Sequence, residues 1–186
     1  AVDVKVNKAS KNIIFLVSDG MSSGTLQMAD LLSRQKLGYA SNWIDAYRQK
    51  RAKRTLMDTA SANSFVTDSA AASSAWGGGV RVNNGRINTG ENGEKYKPIL
   101  QKFKNAGKSV GCVTTVPITH ATPAGFCVNN IHRGNQEEIA LDYLTLKFDV
   151  MLGGGNEFFD PEQRKDKKNL YQSFETYQRR MVRQTF

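Results

Sequence analysis

The sequence is short of several things at once: it has two cysteines, two histidines, four prolines and no purely apolar run longer than the five residues 13–17. Each shortage excludes a class. Cys112 and Cys127 are too few for the disulfide framework of a small secreted domain, and they lack the close pairing of zinc-finger ligands. His120 and His132 cannot complete a histidine-rich metal site by themselves. A five-residue run falls far below the ~20 residues of a membrane-crossing helix, so no span is expected. The opening Ala1-Val2-Asp3-Val4-Lys5 has neither the basic nor the apolar region of a secretory signal, which fits a cytoplasmic protein or a mature chain whose signal has gone. Gly153 to Gly155 supplies neither GxxxxGK[ST] nor GxGxxG, so no nucleotide-binding loop is read there.

What remains is an ordinary folded composition. The 186 residues are 39% apolar and 23% charged, suiting one domain or part of a larger one and arguing against disorder. The formal net charge of +9 suits an anionic partner such as nucleic acid, acidic lipid or a phosphate ester. Five of the seven residues 48–54 are basic. They could form a nucleic-acid patch, though a solvated helix face is the preferred reading.

Along the chain, strand-like and helix-like segments alternate. Residues 12–18 form a continuous β-rich run closed by Asp19-Gly20, the pattern of a strand buried on both faces of a parallel sheet. Helices are expected over 21–36, 42–52, 70–76 and 98–106, a short strand over 64–67, and a hairpin turn at Asn84-Gly85 within 82–87. A strand over 109–115 precedes a helix from Thr122 to about Arg133. Asn135 is expected to cap a helix over 137–146, followed by a strand over 148–152 and an amphipathic helix over 170–186. Alternation of this kind predicts a layered α/β/α sandwich with a largely parallel central sheet.

Four places could carry chemistry. Asp19 lies just past the carboxyl end of the first expected strand, where open α/β sheets place ligands, and its hard oxygens suit Mg²⁺ or Zn²⁺; equally, Asp-Gly is a favoured turn pair. Asp68-Ser69 precedes an alanine-rich helix, whose positive end would stabilise a phosphoryl group on the Ser69 hydroxyl; both residues are also good N-caps. Thr122 could offer a metal an oxygen or simply cap the helix that Pro123 opens. Arg133 could grip two phosphate oxygens with parallel hydrogen bonds, or merely offset a helix dipole.

In one order, these signals resemble the alkaline phosphatase family: Asp19 within Ile-Phe-Leu-Val-Ser-Asp-Gly-Met, Ser69 within Val-Thr-Asp-Ser-Ala-Ala-Ala, Thr122 within His-Ala-Thr-Pro-Ala-Gly, then Arg133. The resemblance runs from about residue 12 to 159 and matches the amino-terminal half of a typical member. It implies that residues 1–186 are the amino-terminal part of a single catalytic domain of a phosphomonoesterase. Ser69 would become transiently phosphorylated, Arg133 would clamp the phosphate and Asp68 would orient Arg133. Two Zn²⁺ and one Mg²⁺ are implied, with Asp19 bridging two metal sites, Thr122 a magnesium ligand, and His120 tuning the third site. The remaining ligands have no counterpart here, so the chain alone is expected to bind zinc poorly and to be inactive. Small phosphate monoesters are the implied substrates, nucleic acid is not an expected partner, and periplasmic or extracellular location and a homodimer of the full-length protein are implied by the family alone. A related phosphodiesterase and a non-catalytic basic binding module are the alternatives.

Overall fold

The computed structural model describes residues 11–175, which fall into two compact units with the break between Arg54 and Thr55. In the first, α1 (Ser23–Leu37) starts where the Ser22 hydroxyl accepts the Thr25 N–H at 3.2 Å. It stops at Gly38, which adopts φ 77° as a left-handed cap. Ser41 caps α2 (Asn42–Arg48). The buried Asp30 carboxylate joins the two helices, accepting Arg34 Nε and the Ser41 N–H, each at 2.8 Å.

Residues 12–18 are not a strand. A strand exists only as part of a ladder, and no described strand pairs with this run. Ile13, Ile14, Phe15 and Leu16 are all exposed. The sequence encodes burial here that the described residues do not supply.

The second unit is built around one parallel strand pair, β1 (Gly111–Pro117) and β2 (Val150–Gly154), with Cys112 opposite Met151 and an irregularity before Pro117 meets Gly154. Between them run α5 (Ala121–Gly125) and α6 (Gln136–Leu146). Ile139, Ala140, Tyr143 and Leu146 are the buried face of α6, spaced as an amphipathic helix requires. They join Phe148, Met151, Phe159, Leu170 and Phe174 in one apolar cluster. The Tyr143 hydroxyl keeps its hydrogen bond there, donating to Ile118 O at 2.7 Å. Ahead of β1 lie α3 (Ser69–Gly77) and α4 (Ile99–Asn105); behind β2 come a 3₁₀ turn (Asn156–Phe158) and α7 (Leu170–Glu175). The part of the expected last helix beyond 175 lies outside the described residues. This is a mixed α/β fold with a small parallel sheet, consistent with part of the expected sandwich.

Three further expectations are corrected. Residues 64–67 have no strand partner among the described residues and lead irregularly into α3. The turn at Asn84-Gly85 forms, with the Arg86 N–H donating to Asn83 O at 3.1 Å, but its flanks do not make a hairpin. Ile87 pairs instead with Asn130, and Thr89 with Lys95. The helix expected from Thr122 to Arg133 ends at Gly125. The buried Asn88 amide donates to Gly125 O at 2.7 Å and Val128 O at 2.8 Å, taking acceptors that a longer helix would need. His120, rather than Thr122, holds the N-cap position of α5.

Candidate functional site

The site begins with two helices, α3 and α5, packed in close contact. Near its end α3 carries Gly77, where a Cβ would overlap the backbone of Gly125 in α5, and a Cβ on Gly125 would in turn strike Ser73. Only glycine permits this approach. Ser73 Oγ donates to Ala121 O at 2.9 Å, and the Asn88 N–H donates to Ser74 Oγ at 2.8 Å. These contacts fix the middle and end of α3 against α5, both in the second unit.

At the start of α3, Asp68 is the N-cap and Ser69 the first helical residue, half-buried. Asp68 Oδ1 accepts the Ala71 N–H at 2.9 Å; Oδ2 accepts the Gly85 N–H at 2.9 Å and Arg133 Nη1 at 3.1 Å. Partial burial pushes this carboxyl upward, but the Ala71 N–H, the Arg133 guanidinium and the Gly85 N–H outweigh it and hold Asp68 below the ordinary carboxylate value. The capping reading of Asp68 and the arginine-pairing geometry therefore coexist on one side chain.

Arg133 is not on the helix that Thr122 joins. It lies on the connection to α6, with its N–H donating to Gly85 O at 2.7 Å. Its guanidinium stands between Asp68 and His120, Nη2 being 3.0 Å from His120 Nε2. Arginine only donates, so His120 accepts through Nε2 and carries its proton on Nδ1. Thr122, half-buried, follows two residues later as the second residue of α5. Asp68, Ser69, His120, Thr122 and Arg133 all belong to the second unit. Asp19 belongs to the first, where Asp19-Gly20 forms a turn with Gly20 at φ 69°.

Among the described residues, no group of three or more His, Cys, Asp or Glu side chains could hold a metal ion. Around Ser69 the second unit offers the Asp68 carboxylate, the His120 imidazole and hydroxyl oxygens, and both Asp68 Oδ2 and His120 Nε2 are already engaged by Arg133. A tetrahedral zinc site takes three or four protein ligands, so these residues do not fit a complete metal site on their own. The cysteines are reduced thiols of the core: Cys127 Sγ donates to Pro123 O at 3.0 Å, and burial pushes its pKa well up. Basic residues of the 48–54 segment are exposed, with Arg54 over the Tyr47 ring at 5.1 Å and Arg51 reaching Asp45 at 3.4 Å. No described helix is long and apolar enough to cross a membrane.

Sequence reading missed Asn84 and Gly85. Their signal was visible as a turn, but nothing in the linear order tied that turn to Asp68, sixteen residues earlier.

The family model described as alkaline phosphatase matches residues 10–185. Alkaline phosphatase 4 of Bacillus subtilis (strain 168) is 35% identical over 182 residues, covering 93% of this chain and 39% of that protein. The crystal structure of Thermus thermophilus alkaline phosphatase superposes with a TM-score of 0.79 at 39% identity, covering 85% of this chain and 33% of that one. For alkaline phosphatase from the Antarctic bacterium TAB5 the TM-score is 0.68 at 30% identity, covering 81% and 43%. Two variants of that enzyme, with one histidine replaced by Glu or Asp, are known with Mg bound in the M3 site. The chain thus spans between 33% and 43% of the length of these relatives.

Proposed function

Because this chain belongs to the alkaline phosphatase family, we propose that it is the nucleophile-bearing part of a metal-dependent phosphomonoesterase that works through a phosphoserine at Ser69. The observation that carries this reading is the grouping of Asp68, Ser69 and Arg133: a hydroxyl at a helix start, next to a carboxylate holding a guanidinium at 3.1 Å. Ser69 loses its hydroxyl proton to solvent as Oγ attacks phosphorus; its bond to phosphorus forms as the bond to the leaving alcohol breaks, and that oxygen takes up a proton from solvent. Water then attacks the phosphoserine, releasing inorganic phosphate and restoring the hydroxyl. Arg133 grips two non-bridging oxygens, and the positive end of α3 offsets their charge. Positioning and charge neutralisation are what phosphoryl transfer chiefly requires.

Two Zn²⁺ and one Mg²⁺ in the whole enzyme remain part of the proposal. Asp19 and Thr122 would offer oxygens to these ions and His120 would tune the third site; bound metal would lower the cost of a serine alkoxide. A histidine change in the TAB5 enzyme is compatible with Mg in its M3 site, which fits a reading in which a histidine tunes the third metal. Export from the cytoplasm and dimerisation of the full-length protein belong to the same reading.

The test compares an aryl phosphate monoester with an aryl diester, using full-length protein supplied with zinc and magnesium. The monoester should turn over at least tenfold faster, and Ser69→Ala should remove the activity. Faster diester turnover would replace this reading with that of a phosphodiesterase. Full activity in the Ser69→Ala variant would end it.

A further inference from the structure

We propose that Asn84 is a positioning residue for the phosphate clamp: it sets the Asp68–Arg133 pair from behind without touching substrate. The inference rests on the reading of Arg133 as the clamp and goes beyond it, because Asn84 is no part of the motifs that carry that reading.

Asn84 is half-buried at the turn 83–86 and turns its side-chain amide and its backbone N–H toward the segment 63–68. Its Oδ1 accepts the Asp68 N–H at 2.9 Å, its Nδ2 donates to Val66 O at 2.8 Å, and its own N–H donates to Asn63 Oδ1 at 2.9 Å. One side chain thus fixes the two-residue approach to Ser69. The next residue completes the frame: the Gly85 N–H donates to Asp68 Oδ2 at 2.9 Å, and Gly85 O accepts the Arg133 N–H at 2.7 Å. Gly85 has φ 82°, a conformation glycine adopts freely. The Asn84-Gly85 pair therefore holds Asp68 by backbone and carboxylate, and Arg133 by backbone. The guanidinium meets Asp68 Oδ2 only where these anchors place it.

The chemistry selects an amide. Aspartate at 84 would keep the acceptor for the Asp68 N–H but would present a second acceptor to Val66 O, where a donor is needed. Alanine would remove both bonds and leave the turn held only through main-chain groups.

The experiment uses the full-length enzyme and Asn84→Ala, Asn84→Asp and Asn63→Ala, each made also in an Arg133→Ala background. Three quantities are read: kcat/KM for an aryl phosphate, the inhibition constant of inorganic phosphate, and the crystal structure of each single variant. Asn84→Ala should lower kcat/KM by about tenfold, the order of loss expected from misplacing a reacting group by a fraction of an ångström, and weaken phosphate inhibition in step. In the Arg133→Ala background the same change should cost less than about twofold, because the group through which Asn84 acts is gone. Asn84→Asp should fall between alanine and wild type. The crystal structure should show Arg133 Nη1 out of hydrogen-bond reach of Asp68. Equal losses in both backgrounds, or an unmoved Arg133 with unchanged kinetics, overturn the proposal. Should Asn84→Ala fail to fold, Asn63→Ala, which removes only an exposed acceptor, gives the same comparison at about two- to threefold. If the wild-type enzyme turns over monoesters without modifying Ser69, the phosphoserine reading fails while the double-mutant comparison still decides the role of Asn84. If it turns nothing over, the crystal structures decide it alone.

Discussion

Two carboxylates show how a single residue couples charge to position. Asp68 accepts three donors that arrive from a helix start, a turn and a distant arginine. Asp68→Asn should weaken inhibition by inorganic phosphate, because Arg133 then lacks its anionic partner; an unchanged inhibition constant would detach Asp68 from the clamp. Asp166 is the structural counterpart. It receives Arg164 Nε at 2.8 Å and Nη2 at 2.6 Å, while Nη1 of the same buried arginine donates to Glu137 O at 3.1 Å and Phe158 O at 2.6 Å. Hydrogen bonding to Arg164 holds the Asp166 carboxyl at about 2. A carboxyl whose folded-state pKa lies below its unfolded value stabilises the fold above the unfolded value, and that contribution is lost as pH falls toward the folded one. Wild type should therefore be more stable than Asp166→Asn above about pH 4, with the difference closing between pH 4 and 2. Denaturant titrations of both proteins across that range check the sign, and a difference that grows on acidification would contradict it.

Between elements, the close crossing of α3 and α5 sets the geometry of the site. A Cβ at Gly125 meets Ser73 side chain and backbone, with no flexible end to yield. Gly125→Ala should cost about 1–3 kcal/mol of stability by denaturant unfolding, the range for overpacked core positions. A loss under about 0.5 kcal/mol would mean the helices can separate freely. Asn88→Ala strips the carbonyls of Gly125 and Val128 of their donor and should cost a similar amount. This level also shows what a linear reading can reach. Helices α1, α2, α3, α4 and α6 were legible because caps, glycine stops and apolar spacing are local signals. The strand expected at 12–18 did not form, since strand formation depends on a neighbour that local pattern cannot supply. The cut at Gly125 was hidden for the same reason: Asn88, which takes its carbonyl, is 37 residues away. The site followed that division. Asp68, Ser69 and Arg133 could be named from motif order, whereas Asn84 and Gly85 gained meaning only from contacts across 16 and 17 residues.

Taken whole, the described residues bring Arg133 to Asp68 beside Ser69, the proposed nucleophile and clamp, and include no group of three or more His, Cys, Asp or Glu that could hold a metal ion. The chain spans 39% of a curated relative and 33% of a solved one. The isolated 186-residue chain should bind zinc weakly and turn over an aryl phosphate negligibly, whereas the full-length protein should do both well. Calorimetric zinc titration and a chromogenic assay check this; tight stoichiometric zinc binding by the chain alone would contradict it. The exposed apolar residues 13–16 mark where the sequence asks for more burial than the described residues provide. The central claim, that the Ser69 hydroxyl becomes esterified to phosphate, is tested most directly by acid-quenching the full-length enzyme during turnover and mapping its peptides by mass spectrometry. The account predicts a gain of about 80 Da, one phosphoryl group, on the peptide containing Ser69, absent from Ser69→Ala. Sustained turnover with that peptide unmodified at every quench time would contradict it.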